Sequence, residues 1–82
     1  MFYVYVLEST QFNKRYIGLS STPNKRLAEH NQGKTKSTKA FRPWELVYQE
    51  VFQDRATARQ REKYFKSGAG REYLNKILND ND

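Results

Sequence analysis

Phe2-Tyr3-Val4-Tyr5-Val6-Leu7 is aromatic or aliphatic at every position, which predicts a strand with both faces apolar, central and covered on two sides. Ser9 to Lys14 is a polar turn, and Arg15-Tyr16-Ile17-Gly18-Leu19 predicts a second strand, so the pair reads as a hairpin. Thr22 suits an N-cap and Pro23 a first helical position, starting a helix that runs to about Asn31, with Gly33 in the left-handed position beyond it. Residues 33–43 read as a basic surface loop. Trp44 to Phe52 predicts a third strand, with Leu46, Tyr48 and Glu50 on one face and Val47 and Val51 on the other. Asp54 caps a helix to about Lys66, stopped by Gly68. After the Ser67-Gly68-Ala69-Gly70 break, Arg71 to Leu78 predicts a last helix with Tyr73, Leu74, Ile77 and Leu78 inward, and 79–82 form a frayed tail. The expected fold is α+β, in the order β-β-α-β-α-α, a small three-stranded, mainly antiparallel sheet flanked by helices. It forms one domain over residues 1–78.

Composition narrows the chemistry. The 82 residues include no cysteine and one histidine, which excludes a disulfide framework, a thiolate zinc site, a cysteine nucleophile and a multi-histidine metal site. The longest apolar run, Phe2 to Leu7, is too short to span a bilayer, and no signal-peptide pattern surrounds it, so a cytoplasmic protein without a membrane partner is expected. The net charge of +6 is unevenly placed. Residues 1–44 hold eight Lys or Arg against two acids, whereas 45–82 hold seven of each sign. One positive surface is either a solvated face or a contact for a polyanion, and nucleic acid, DNA first, is the expected partner.

Three places put polar groups where apolar ones are expected. Tyr5 and Tyr16 lie on neighbouring strands, either as core rings with hydroxyls at the rim or as a pair of phenols at a site. Arg26 and His30 stand four residues apart on one side of the short helix, as boundary residues or as a clamp for an oxyanion, with Lys25 and Glu29 pointing to solvent. Glu62 shares an inward stripe with Ala58 and Phe65. A carboxylate there is either a structural ion-pair partner of Arg55, Arg59 or Lys66, or a ligand of a hard divalent metal.

Their order along the chain resembles a known family. Val4-Tyr5, then Tyr16-Ile17-Gly18, then Arg26 and His30, then a helical Glu62 resemble the GIY-YIG endonuclease superfamily, over about residues 2–78. Within it the chain is similar to the small stand-alone bacterial group related to the nuclease domain of the excision-repair incision subunit. The Arg26-Leu27-Ala28-Glu29-His30-Asn31 helix and the Arg42-Pro43-Trp44-Glu45-Leu46-Val47-Tyr48 segment carry the same likeness. Two positions depart from the pattern: Tyr3 stands at the first glycine of the family's name, and Leu19 follows Gly18 where some relatives carry a lysine.

The resemblance implies metal-dependent endonucleolytic hydrolysis of DNA phosphodiester bonds, in DNA repair or processing, with one Mg²⁺ or Mn²⁺. It assigns the metal to Glu62, the phosphate to Arg26 and the general base to Tyr5, assisted or oriented by Tyr16. The Tyr5 pKa, ordinarily about 10, would have to be lowered by nearby positive charge. His30 would contact the phosphate or relay a proton, and Lys34, Lys36, Lys39 and Arg42 would track backbone phosphates without reading sequence. Tyr5, Tyr16, Arg26, His30 and Glu62 are expected to converge on one shallow groove. The alternatives are a catalytically degenerate nucleic-acid-binding module of the same fold, or a basic module docking on an acidic protein or ribosomal RNA.

Overall fold

A computed structural model describes residues 1–79. Its elements are β1 (Phe2–Ser9), β2 (Arg15–Ser20), α1 (Pro23–Asn31), α2 (Lys36–Lys39), β3 (Trp44–Phe52), α3 (Arg55–Lys66) and α4 (Gly68–Asn79). The all-apolar strand is central, as its two-sided pattern requires: the sheet order is β2-β1-β3, and both pairings are antiparallel. Val4, Tyr5, Val6 and Leu7 are all buried.

Alternation along β1 divides the core in two. Val4 and Val6 point to one face and pack with Ile17, Ala58, Phe65 and Leu74, under α3 and α4. Tyr5 and Leu7 point to the other, where Trp44 completes a cluster edged by Tyr16, Leu27, Phe41 and Leu46. Full burial of one such aliphatic or aromatic side chain stabilises the fold by about 1.5–3 kcal/mol, so both faces contribute. Among the described residues no helix is long and apolar enough to cross a membrane.

The structure corrects the sequence reading in five places. The register of β3 against β1 shifts between Val6, opposite Tyr48, and Leu7, opposite Leu46. The extra residue sends Leu46 to the Trp44 face and Tyr48 to the Phe65 face, so these two do not share a side. The basic loop contains the single turn α2, whose Thr38 is buried. Helix α4 begins at Gly68 rather than Arg71, because Ser67 caps it: the Gly70 N–H donates to Ser67 Oγ (3.2 Å) and the Arg71 N–H to Ser67 O (2.9 Å). Tyr73 is more than a third exposed, whereas Leu74 is fully buried. Asn79, the first residue of the expected tail, is helical, and the rest of that tail lies outside the described residues.

Helix ends behave mostly as expected. Asp54 accepts from the Thr57 N–H (2.7 Å), and Gly33 takes a φ of 80° after α1. Thr22 occupies the N-cap position of α1 without a side-chain cap, and Pro23 stands in the first turn.

The α3–α4 corner depends on the missing side chain of Gly70. A Cβ there would lie 2.6 Å from Phe65 Cα and closer still to the Tyr64 carbonyl, both of them backbone that cannot yield. Gly70→Ala is therefore expected to cost at least about 1–3 kcal/mol, at roughly 4–8 °C of melting temperature per kcal/mol. Gly68→Ala, with nothing within 4 Å, should cost nothing. Thermal unfolding of the two variants side by side checks this.

Candidate active site

The site begins with a close approach. Tyr5 on β1 sits directly opposite Gly18 on the edge strand β2. A Cβ at Gly18 would fall 2.7 Å from Tyr5 Cε1 and nearer still to Cζ and the hydroxyl. The phenol therefore lies across the glycine, and its hydroxyl reaches the β2 edge of the sheet. Tyr16, opposite Leu7, presents its ring on the same face with a centroid 6.3 Å from that of Tyr5.

Helix α1 closes over these rings with His30, fully buried and 4.6 Å from the Tyr16 centroid. Hydrogen bonds fix its tautomer. Thr38 Oγ donates to the Thr35 carbonyl (3.3 Å), so it accepts from His30 Nδ1–H (2.8 Å). His30 Nε2 is then the acceptor for the Tyr5 hydroxyl at 3.3 Å. Full burial removes phosphate contact from the roles expected of His30 and leaves it as a partner of Tyr5.

Arg26, one turn earlier, is half-buried and pairs with Glu29 (2.5 Å); Glu29 is thus bound to Arg26 rather than free in solvent. The Arg26 guanidinium stands beside the Tyr5 hydroxyl and favours its ionised form. Burial outweighs that effect and holds the Tyr5 pKa above its ordinary value, opposite to the lowering that a base at that position needs. Burial first, and the positive charge of Arg26 second, hold His30 below its usual value against the opposing pull of Glu29.

Glu62 comes from α3, in the layer on the other face of the sheet. Helix α3 packs against both β1 and β2, and the carboxylate of Glu62 contributes to raising the Tyr5 pKa across the β2 edge. Its side chain is only 10% exposed and pairs with Lys66 (3.2 Å) and Arg59 (3.5 Å), two of the three cations expected as structural partners. Beside it, Arg15, Tyr16, Ile17, Phe65, Lys66 and Arg71 line a cleft of about 370 Å³. Tyr16 is only half-buried and is among the residues that border this cleft, whereas Tyr5 is 1% exposed. The structure thus gathers Tyr5, Tyr16, Arg26 and His30 on one face, whereas Glu62 stands on α3 in the other layer; with Tyr5 and His30 fully buried, the five do not line the one shallow groove expected of them.

No group of three His, Asp or Glu side chains is placed to hold a metal among the described residues. A single nearly buried carboxylate, with oxygen donors only, fits a hard divalent ion that keeps most of its ligands as water and substrate phosphate.

Lys34, Lys36, Lys39 and Arg42 are all exposed along the α1–β3 connection. Arg42 folds back over Gly33, donating from Nε to the Lys39 carbonyl (2.8 Å). The connection is tied to the site by residues that the sequence reading passed over. Thr38 holds His30, Trp44 Nε1 donates to the Thr38 carbonyl (2.9 Å), and the Asn31 side chain bridges both backbone groups of Trp44. A threonine within a stretch of polar residues gives no sequence signal of burial.

The model of the GIY-YIG catalytic domain matches residues 1–76. The chain belongs to the GIY-YIG family. Its members are nucleases, and their substrates are nucleic acids. The chain is 38% identical over 76 residues to a UPF0213 protein of Staphylococcus haemolyticus, covering 92% of each. It is 44% identical over 55 residues to the UPF0213 protein YazA of Bacillus subtilis, covering 66% of this chain and 56% of that one. The solution NMR structure of the UPF0213 protein BH0048 from Bacillus halodurans superimposes with a TM-score of 0.55 at 30% identity, covering 94% of this chain and 85% of that one. The resemblance to small bacterial GIY-YIG proteins and the expected order of elements both hold.

The His30 environment has a consequence for GIY-YIG fold stability. A histidine kept neutral in the fold but free to protonate when unfolded gives stability that is complete above about pH 6.5 and declines as pH falls below it. Glu50 and Asp54, whose pKa values are lowered, act only below the ordinary carboxylate range and leave this window clear. Chemical unfolding is expected to show stability falling from pH 7 to pH 5, with a shallower slope in His30→Gln.

Proposed function

We propose that this chain is a divalent-metal-dependent endonuclease that hydrolyses DNA phosphodiester bonds, acting in the cytoplasm in DNA processing or repair. One observation carries the reading: Tyr5, Tyr16, Arg26 and His30, from β1, β2 and α1, meet on one face of the sheet, with the Tyr5 hydroxyl on His30 Nε2 (3.3 Å) and the Tyr16 ring centroid 4.6 Å from that of His30. Burial is the main influence on the ionisation of Tyr5, and the charges of Arg26, Tyr16 and Glu62 act on it after that. Perturbed groups gathered in this way are typical of functional sites.

The roles follow from access. The Tyr5 hydroxyl is buried and donates to His30, so its task is to position Arg26 and the Tyr16 ring. Tyr16, half-buried where Tyr5 is fully buried, is the more accessible of the two phenols and takes the role of general base. Arg26 has donors beyond those used by Glu29, and its planar fork suits a phosphate. Glu62 would hold Mg²⁺ or Mn²⁺, with Lys66 and Arg59 releasing its oxygens. When bound, the ion supplies charge neutralisation at the phosphate and an acidified water. Lys34, Lys36, Lys39 and Arg42 would hold the flanking backbone by charge alone.

The two ion pairs of Glu62 favour a second reading, a nucleic-acid-binding module that does not cut. Glu62→Gln separates them. As a metal holder, its loss is expected to lower divalent-dependent cleavage on the order of 10²-fold. Both cations are more than half exposed, so the fold should lose less than about 1 kcal/mol per pair. Tyr16→Phe should lower cleavage by roughly 10²–10⁴-fold without a change in melting temperature. Full cleavage by a destabilised Glu62→Gln protein removes Glu62 from the site. Binding without cleavage by the wild type establishes the second reading.

A further inference from the structure

We propose that the tip of the β1–β2 hairpin is a stacking platform for an unpaired nucleotide of a DNA strand, with Phe12 as its ring. The inference rests on the reading of the chain as acting on nucleic acid. Phe12 is an aromatic residue in a turn that is otherwise polar, and it is 47% exposed. The turn does not let it fold away. The Gln11 and Phe12 N–H groups both donate to Ser9 Oγ (3.2 and 3.0 Å), and the Lys14 N–H donates to the Phe12 carbonyl (2.8 Å).

Phe12 is backed by Phe41, edge to face at 5.6 Å and 78°. Lys14 Nζ stands 5.1 Å from the Phe41 centroid, a cation over a ring. The hairpin is docked on the basic connection, since Thr10 donates from both N–H (2.9 Å) and Oγ (3.3 Å) to the Pro43 carbonyl. The exposed ring is therefore joined to the segment that carries Lys39 and Arg42, and no acidic residue occurs from Thr10 to Asn13 or from Gln32 to Trp44.

An apolar ring set beside Lys14 and the basic connection, with Glu8 lining the same hollow, is a poorer match for an apolar protein partner than for a nucleotide. The base stacks on the ring while the phosphates on either side meet Lys14, Lys39 and Arg42. In duplex DNA both faces of every base are already stacked, so the platform selects a single strand. The segment that bears these cations also holds His30 through Thr38, so a strand gripped here is held beside the site.

The test is affinity by fluorescence anisotropy for labelled oligothymidylate and for a duplex of equal length, with wild type, Phe12→Ala, Phe12→Leu and Phe12→Trp. Phe12→Ala and Phe12→Leu should each weaken single-strand binding about tenfold and leave duplex binding within about twofold. Phe12→Trp should restore it, and its indole emission should be quenched by oligothymidylate, against a background from Trp44, which is buried. Unchanged single-strand affinity in Phe12→Ala, or equal losses for both DNA forms, overturns the platform. If the wild type still cleaves DNA in that case, the nuclease reading stands without it. A wild type that binds neither form at low salt overturns both. Selective loss in Phe12→Ala with no cleavage by any variant keeps the platform and removes the nuclease.

Discussion

A phenol hydroxyl buried against the middle of a three-stranded sheet must be hydrogen-bonded, and much of this molecule is arranged around that requirement at Tyr5. Left unpaired, such a group costs about 1–3 kcal/mol, a large share of the stability of a small domain. Gly18 clears the space into which the ring lies, and His30 on α1 supplies the acceptor. His30 must in turn place its other N–H, and Thr38 accepts it only because α2 turns Thr38 inward and the Thr35 carbonyl takes the threonine proton. The chain of donors ends on a backbone carbonyl, and no buried side-chain nitrogen or oxygen among the described residues lacks a partner. Trp44 and Asn31 then pin the same segment to the start of β3. A basic stretch that reads as a surface loop is thus anchored by one buried hydroxyl.

This explains what could be read from the sequence and what could not. The strands and the helices α1 and α3 were legible because apolar runs, Pro23, Asp54 and Gly33 act locally, within a few residues of themselves. The β-bulge at Val47 was not, since it balances two apolar faces against each other and both registers keep apolar residues inside. The residues Tyr5, Tyr16, Arg26, His30 and Glu62 were legible as a family pattern, but their environments were not. The burial of Tyr5 and the partial exposure of Tyr16 depend on which ring lies over a glycine. Two tyrosines with the same local sequence signal therefore differ in burial through tertiary packing.

The placement of Glu62 rests on a second network. Arg61, the residue before it, donates to Glu50 of β3 from Nε (2.8 Å) and Nη2 (3.1 Å), while its guanidinium lies 4.6–5.1 Å from the ring centroids of Tyr64, Phe65 and Tyr73. Tyr48, turned to this face by the bulge, donates its hydroxyl to the same carboxylate. Burial pushes Glu50 up, but these hydrogen bonds outweigh it and hold the carboxyl below its ordinary range. A planar fork fixed on one side of α3 sets the rotation of the helix about its axis. With Phe65 and Ala58 in the core, Glu62 can face only the sheet.

The two networks give the uneven charge of the chain a physical meaning. In the second half, acids and bases are spent on each other: Glu50 with Arg61, and Glu62 with Arg59 and Lys66. In the first half, only Arg15 and Arg26 have acidic partners, whereas Lys14, Lys25, Lys34, Lys36, Lys39 and Arg42 form no salt bridge among the described residues. Paired charges orient helices at short range and cancel at long range, whereas unpaired ones add to a field that reaches about a Debye length into solution. The electrostatics that build the scaffold and those that attract a polyanion are therefore carried by different parts of one short chain. They meet at Arg26, which is paired to Glu29 for its orientation and stands beside the Tyr5 hydroxyl with donors to spare.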